Sequence, residues 1–342
     1  MPSKLLIVTD AWHPQTNGVV RSLSAIGKEL TRRGMEVTFL TPERFWTVPV
    51  PTYPEIRLSL TPIGAVGHII DDEMPDHIHI ATEGPLGLQA RKHCTDMGLR
   101  YTTSFHTRFP EYVAARVPVP PDWCYAYLRW FHAEAAQTLV PTPSMLAELE
   151  ERGFKHLKLW SRGVDAGVFS PGPKSRFLDL PGPHLLYVGR VAPEKNVEAF
   201  LKAETPGTKI VVGDGPQREE LEHRYPHAVF LGYQYGEELA ASYRSADIFV
   251  FPSLTDTFGN VMVEAMASGV PVAAFPVTGP QDVLTDETGA MDDDLGVAIR
   301  KALTLSREAA RRHAQTFTWK ASGDQFQSAL VPARQHRFAK AS

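Results

Sequence analysis

Short apolar segments alternate with amphipathic segments along this chain, and that alternation constrains the fold more than any other feature. Segment 184–188 is short and apolar, whereas segment 19–33 places Leu23, Ile26 and Leu30 at helical spacing. Strands that alternate with helices are typical of parallel sheets, because each strand returns to the sheet through a helix. We therefore predict an α/β protein built from two Rossmann-like domains whose parallel sheets face a central cleft.

The alternation occurs twice, and a segment rich in Pro and Gly separates the two series. The predicted strands are 4–9, 37–40, 77–81, 101–105, 138–141 and 157–160 in the first series, and 184–188, 209–212, 228–231, 248–251 and 270–275 in the second. The predicted division is an N-terminal domain at 1–169, a linker at 170–183, a C-terminal domain at 184–320, and a tail or helix at 321–342 that packs back on the N-terminal domain.

Composition excludes several classes of protein. At 342 residues the chain exceeds the roughly 250–300 residues that one core usually supports. A net charge of −4 argues against a nucleic-acid partner. Cys94 and Cys124 have neither metal-site nor CxxC spacing, which favours a reduced, cytoplasmic protein. No segment has the ~20 apolar residues of a spanning helix, so we expect any membrane contact to be peripheral, on the inner face of the cell membrane.

Residues 255–269 carry the strongest functional signal. This segment follows an apolar strand and reads as a glycine turn that opens a helix, an arrangement that favours phosphate. Asp256 and Glu264 bracket the turn, and carboxylates at such a place suit hydroxyls. Phosphate together with hydroxyls indicates a sugar nucleotide. Asp256 could instead be an N-cap, whereas a buried Glu264 would be costly without a partner.

Two further loops follow predicted strands of the second series. In the loop 189–196, Arg190 and Lys195 could clamp a diphosphate, or could pair with Glu194 in a solvated loop. Gly213 and Gly215 could let a base or ribose lie against the backbone, or could form only a tight turn. The third glycine of GxGxxG is absent, so this turn is not a dinucleotide fingerprint.

His106 lies at a predicted strand end in the first series, where we expect it to face the cleft, although a half-buried structural histidine has the same pattern. Segment 117–131 combines Trp, Tyr and Phe with Arg129, and Arg116 directly precedes it. It suits peripheral contact with a membrane interface, an acceptor pocket or an aromatic core.

Together, segments 189–195, 212–216 and 256–272 resemble family-4 glycosyltransferases of the GT-B fold, and segment 10–18 looks like the family's first glycine loop. The resemblance covers nearly the whole chain. The Asp-Thr-Phe-Gly-Asn variant at 256–260 looks most like the subgroup that includes GDP-mannose-dependent α-mannosyltransferases and the sulfoquinovosyl- and glucosyl-diacylglycerol synthases.

The resemblance implies a role for each matching residue. Arg190 and Lys195 would hold the donor diphosphate, Glu264 the ribose, and Asp256 the sugar hydroxyls, with Asp in place of the family's usual Glu. The implied catalytic residues are His106, Arg190, Lys195 and Asp256, and the implied donor-binding residues are Gly18, Gly213, Gly215, Phe258, Gly259, Asn260, Val261 and Glu264.

The resulting prediction is a retaining hexosyltransferase that needs no metal or other cofactor. The expected donor is a UDP-glucose or UDP-glucuronate type of nucleotide sugar, and the expected acceptor is a lipid such as diacylglycerol. GDP-mannose as donor, and a soluble or polysaccharide acceptor, are the alternatives. A sugar-nucleotide epimerase or hydride-transfer enzyme, and a non-catalytic nucleotide-sugar binding protein, are the competing classes.

Overall fold

The computed structural model describes residues 2–15, 17–50, 53–114 and 120–334. The chain forms two compact units: the first contains the residues up to Ser161 and resumes at Trp319, and the second is Arg162–Thr318. The polypeptide therefore passes from the first unit to the second and returns. The predicted linker 170–183 falls inside the second unit, and the described part of the predicted tail belongs to the first. Residues 335–342 of that tail lie outside the described residues.

The described elements agree closely with the predicted alternation. The strands are β1 Lys4–Val8, β2 Glu36–Leu40, β3 Thr47–Val50, β4 Tyr53–Ser59, β5 His77–Ile80, β6 Thr102–Ser104, β7 Gln137–Val140, β8 Leu157–Leu159, β9 His184–Val188, β10 Thr208–Val212, β11 Val229–Phe230, β12 Ile248–Phe251, β13 Val272–Ala274 and β14 Gly289–Met291. The helices are α1 Gly18–Arg32, α2 Ala65–Glu73, α3 Pro85–Met97, α4 Phe109–Ala114, α5 Pro121–His132, α6 Pro143–Glu151, α7 Val197–Lys202, α8 Arg218–Arg224, α9 Gly236–Ser245, α10 Asn260–Ala267, α11 Pro280–Val283, α12 Leu295–Ala302, α13 Arg307–Ala314 and α14 Trp319–Ala329.

The first unit is built on a parallel sheet with strand order β2-β1-β5-β6-β7-β8. Alternate residues of β1 pack on opposite faces of it. Leu6 and Val8 belong to the core on one face, and Leu5 and Ile7 to the core that contains Phe326 of α14. Helices therefore cover both faces, as a parallel sheet requires.

A two-stranded hairpin, β3–β4, stands apart from this sheet and was not predicted. Val48 pairs with Leu58 across the hairpin, and the Leu60 backbone N–H donates to the Trp46 carbonyl. By the two-residue period of strands these four side chains share one face. All four are exposed, and Trp46 is 87% exposed.

The second unit has a parallel sheet of order β11-β10-β9-β12-β13-β14. Its strand order reverses between β9 and β12, and ligands of such sheets bind beyond the carboxyl ends of the strands at that switch point. Val164 forms a parallel bridge with Thr318, so the two ends of this unit lie together. Two parallel, Rossmann-like sheets confirm the predicted fold class.

Candidate active site

Two loops of the second unit meet at the β9/β12 switch point. The Lys195 Nζ lies 2.6 Å from the Asp256 Oδ1. Both side chains are partly buried, which strengthens the ion pair relative to an exposed one. The alternatives to ligand binding were a pair between Lys195 and Glu194, and a helix N-cap role for Asp256. The structure pairs them with each other instead, and the N-cap position of α10 is Gly259.

Hydrogen bonds fix the Arg190–Lys195 loop against the loop that follows β12. The Glu194 carbonyl accepts from the hydroxyls of Ser253, at 3.3 Å, and Thr255, at 3.4 Å. The Asn196 side chain donates to the Pro252 carbonyl at 3.2 Å. The Arg190 carbonyl accepts from the Tyr187 hydroxyl, at 2.7 Å. These hydrogen bonds hold the backbone of the loop, and they therefore fix the positions from which the Arg190 and Lys195 side chains extend.

Gly213 and Gly215 allow the loop after β10 to pass against the loop after β9. A Cβ on Gly213, whose φ is +137°, would lie 1.8 Å from the Gly189 carbonyl oxygen. A Cβ on Gly215 would lie 2.4 Å from the Val191 oxygen. No larger residue fits without moving the backbone. Close packing of the two loops therefore accounts for both glycines, and their contact with a base or ribose stays a prediction.

The turn before α10 has the predicted form. Gly259 adopts a φ of +83° at the N-cap, and Asn260 and Val261 begin the helix with partly exposed positions. The Phe258 ring is buried and packs edge-on against Phe317, with centroids 5.9 Å apart. The ring thus anchors the turn that points the first N–H groups of α10 away from the helix.

Glu264 is buried, with 5% exposure, on the inner side of α10. Its Oε2 accepts a hydrogen bond from the hydroxyl of Tyr243, a fully buried residue of α9, at 3.1 Å. This partner offsets part of the cost of burying a carboxylate.

The remaining two predicted site residues belong to the first unit. His106 follows β6 and packs edge-on against Trp160, with ring centroids 5.6 Å apart. Gly18 is the first residue of α1, and the side chain of Asn17 caps that helix by accepting from the N–H groups of Val19 and Val20.

Sequence reasoning missed a polar cluster at the carboxyl ends of β1 and β5, the switch point of the first sheet. The Asp10 carboxylate accepts from the N–H groups of Leu86 and Gly87 and from the Thr82 hydroxyl, and so caps α3. Burial is the largest cause that raises the pKa of Asp10. Glu83, Tyr127 and His132 lie beside it. The available signal was a polar residue shortly after each of β1 and β5, which are neighbours in the sheet but not successive in the chain.

Aromatic residues of the predicted membrane segment divide between core and surface. Residues 117–119 of the 117–131 segment lie outside the described residues. Within α5, Tyr125 and Phe131 are buried, whereas Trp123 is 72% and Trp130 50% exposed. In the part of the chain that the structure describes, no helix combines the length and hydrophobicity needed to cross a bilayer.

Comparisons with known proteins match this architecture. Residues 16–168 match the profile described as "Glycosyltransferase Family 4", and residues 182–306 the profile "Glycosyl transferases group 1". The chain is 32% identical to a GDP-mannose-dependent alpha-mannosyltransferase of Mycolicibacterium smegmatis, over 92% of this chain and 94% of that protein. The chain belongs to the family-4 glycosyltransferases. The predicted enzyme class and the resemblance are confirmed.

Other similarities in this family differ in strength. The sulfoquinovosyl transferase SQD2 of Arabidopsis thaliana is 30% identical over 86% of this chain and 66% of its own length. An alpha-monoglucosyldiacylglycerol synthase of Streptococcus pneumoniae is 24% identical over 87% of this chain and 77% of its own length. The sucrose-phosphate synthase of Thermosynechococcus elongatus superimposes with a TM-score of 0.78 at 23% identity, over 95% of this chain and 98% of that one. This likeness supports the GT-B fold.

Proposed function

We propose that this glycosyltransferase transfers a hexosyl group from a nucleotide sugar to an acceptor hydroxyl with retention of configuration. The observation that carries the proposal is the Lys195–Asp256 pair beside the N-terminus of α10, with Arg190 on the same held loop. Fixed cations and a helix N-terminus suit a diphosphate without a bound metal.

In the proposed reaction the nucleotide diphosphate leaves, and Arg190, Lys195 and the α10 N-terminus stabilise its charge. Glu264 holds the ribose. Asp256 binds hydroxyls of the transferred sugar while it orients Lys195 toward the diphosphate. The acceptor hydroxyl attacks the same face of the sugar, and the departing phosphate helps to remove its proton. His106 orients or polarises groups at the reacting carbon.

Donor and acceptor are proposed from the relatives. GDP-mannose becomes the first donor to test, ahead of the UDP-hexose that the sequence favoured, because the mycobacterial relative covering 92% of the chain is named for it. A lipid hydroxyl remains the first acceptor, since the streptococcal relative is named an alpha-monoglucosyldiacylglycerol synthase. A glycan acceptor is the second.

The test is a donor panel of GDP-mannose, UDP-glucose and UDP-glucuronate, incubated with the purified chain and either diacylglycerol micelles or oligomannosides. Products are separated by chromatography and identified by mass. A glycolipid supports the first acceptor and a longer oligosaccharide the second. Failure of every donor to yield a transferred sugar, with either acceptor, would contradict the proposal.

We also propose peripheral membrane contact through α5. Trp123 and Trp130 are exposed, and tryptophan favours the headgroup region of a bilayer. Flotation with phosphatidylcholine–phosphatidylglycerol vesicles tests this. The double variant Trp123→Ser, Trp130→Ser should lose flotation, and Trp46→Ser, on the β3–β4 hairpin, is the matched control. Loss of flotation in the control alone would place the contact on the hairpin instead.

A further inference from the structure

The switch point of the first sheet holds a carboxylate that no predicted role uses. Glu83 lies in the turn between β5 and α3, and its side chain is 24% exposed. The Tyr127 hydroxyl donates to the Glu83 carbonyl at 2.6 Å and fixes the backbone of the turn. A partly exposed carboxylate on a held turn at a sheet's switch point is placed to meet a ligand.

A buried histidine stands behind this carboxylate. His132 is 3% exposed, and its Nδ1 hydrogen-bonds the Thr103 hydroxyl at 2.9 Å. Its Nε2 lies 3.3 Å from the Glu83 Oε1, but it makes no hydrogen bond in that geometry or with another described residue. A buried polar nitrogen without a hydrogen bond is costly. A small rotation of the Glu83 carboxyl would satisfy it and turn the other oxygen outward.

The charge around Glu83 narrows the ligand class. The Asp10 carboxylate occupies the same edge, and it already accepts three hydrogen bonds, from the N–H groups of Leu86 and Gly87 and from the Thr82 hydroxyl. Arg91, a cation near Tyr127, donates to the carbonyls of Trp130 and Phe131. Glu83 therefore keeps acceptor capacity for hydroxyl donors, whereas a phosphate would meet two carboxylates.

We propose that Glu83 binds a hydroxyl group of an uncharged acceptor, and that His132 is a positioning residue that orients the carboxylate. The shared chemistry is a neutral polyol, either a sugar or the glycerol of a lipid. An acceptor with a phosphate next to the bound hydroxyl is disfavoured. This inference rests on the proposed function, since it assigns the acceptor side of that reaction.

The test measures binding to the full chain by titration NMR with three probes: methyl α-D-mannopyranoside, 1-O-octylglycerol and mannose 6-phosphate. At least one neutral probe should bind, and mannose 6-phosphate should bind more weakly than methyl mannoside. Glu83→Gln should weaken the binding of the neutral probe about 10- to 100-fold, the usual effect of losing a hydrogen bond to a charged group. Glu36→Gln, at the amino end of β2, also removes one negative charge and should leave the affinity for the probes unchanged.

Two histidine variants separate orientation from folding. His132→Asn can keep a hydrogen bond to Thr103 but lacks a group at the ε position, whereas His132→Gln can place an amide near it. Affinity for the neutral probe should fall in His132→Asn and be partly restored in His132→Gln, at equal melting temperatures. If Glu83→Gln does not fold, Glu83→Asp, which keeps the charge and shortens the reach, replaces it and should also weaken binding.

Three outcomes would overturn the inference: no binding of either neutral probe, equal binding in the wild type and the Glu83 variant, or mannose 6-phosphate binding as tightly as methyl mannoside. Donor binding is measured separately, as the shift in melting temperature with GDP-mannose and UDP-glucose. If neither nucleotide sugar shifts the melting temperature but probe binding still depends on Glu83, the proposed donor chemistry is contradicted and the Glu83 site is not.

Discussion

Lys195 and Asp256 show at the scale of single residues what the sequence reveals and what it conceals. Their chemical types and their positions after core strands marked both as site residues. Their contact could not be predicted, because it depends on β9 and β12 being neighbours although 52 residues, 196–247, separate the loop of Lys195 from the start of β12. Glu83 and His132 were missed for the same reason.

The first residue-scale prediction concerns the diphosphate clamp. Arg190→Ala should lower kcat/KM about 100- to 1000-fold, as the loss of a group that stabilises developing charge commonly does. The melting temperature should stay close to that of the wild type. Arg224→Ala, which removes an exposed guanidinium paired with Glu198, is the control with unchanged turnover. An unchanged kcat/KM in Arg190→Ala would exclude the clamp.

The second residue-scale prediction concerns Gly213. Gly213→Ala combines a left-handed φ of +137° with a Cβ 1.8 Å from the Gly189 oxygen. We expect a loss of at least about 2–3 kcal/mol in the free energy of unfolding. Gly98→Ala is the control: its φ is +63° but nothing lies within 4 Å of its Cβ, so only about 1 kcal/mol should be lost. Urea unfolding measures both, and equal losses would contradict the steric argument.

At the scale of elements, helix α1 and strands β9 and β12 were predicted almost to the residue, because their apolar patterns are clear. The β3–β4 hairpin was missed, since its apolar face is exposed and its sequence therefore lacks the pattern of a core strand. The short strand β14, Gly289–Met291, has only three residues and too little pattern to detect.

The contact between α1 and α14 supports a pH prediction. Hydrogen bonds from Arg32 and Arg33 lower the pKa of Glu29 from 4.5 to about 2, and Arg33 also binds Asp324 and the Lys320 carbonyl of α14. Because the folded-state pKa is lowered, the stabilisation is present above pH 4.5 and is lost as the pH falls toward 2.

Glu29→Gln should therefore lose about 1–3 kcal/mol of unfolding free energy at pH 7. The difference in unfolding free energy between the variant and the wild type should decrease as the pH is lowered from 5 to about 2.5. Chemical unfolding across that range is the measurement. Glu36→Gln, whose carboxylate is exposed, should show no such convergence, and a gap in Glu29→Gln that is constant with pH would refute the ion-pair explanation.

At the scale of the whole molecule, a donor should stabilise the chain. Bound at 100 times its Kd, a ligand adds about 2.7 kcal/mol, which for a unit of this size raises the melting temperature by about 5–10 °C. Calorimetry with GDP-mannose and with UDP-glucose measures the shift, and free mannose is the control. Failure of both nucleotide sugars to raise the melting temperature would contradict the proposed donor chemistry.

The bridge between Val164 and Thr318 has a consequence for engineering and for ancestry. Since the second unit starts and finishes at one place, it has the layout of an insert, and a few residues could close the gap at Ser161 and Trp319 if it were excised. Genes encoding Arg162–Thr318 should be expressible alone, and exchangeable between relatives as one continuous cassette. Recombination of this unit would then exchange the proposed donor site without altering the rest of the chain.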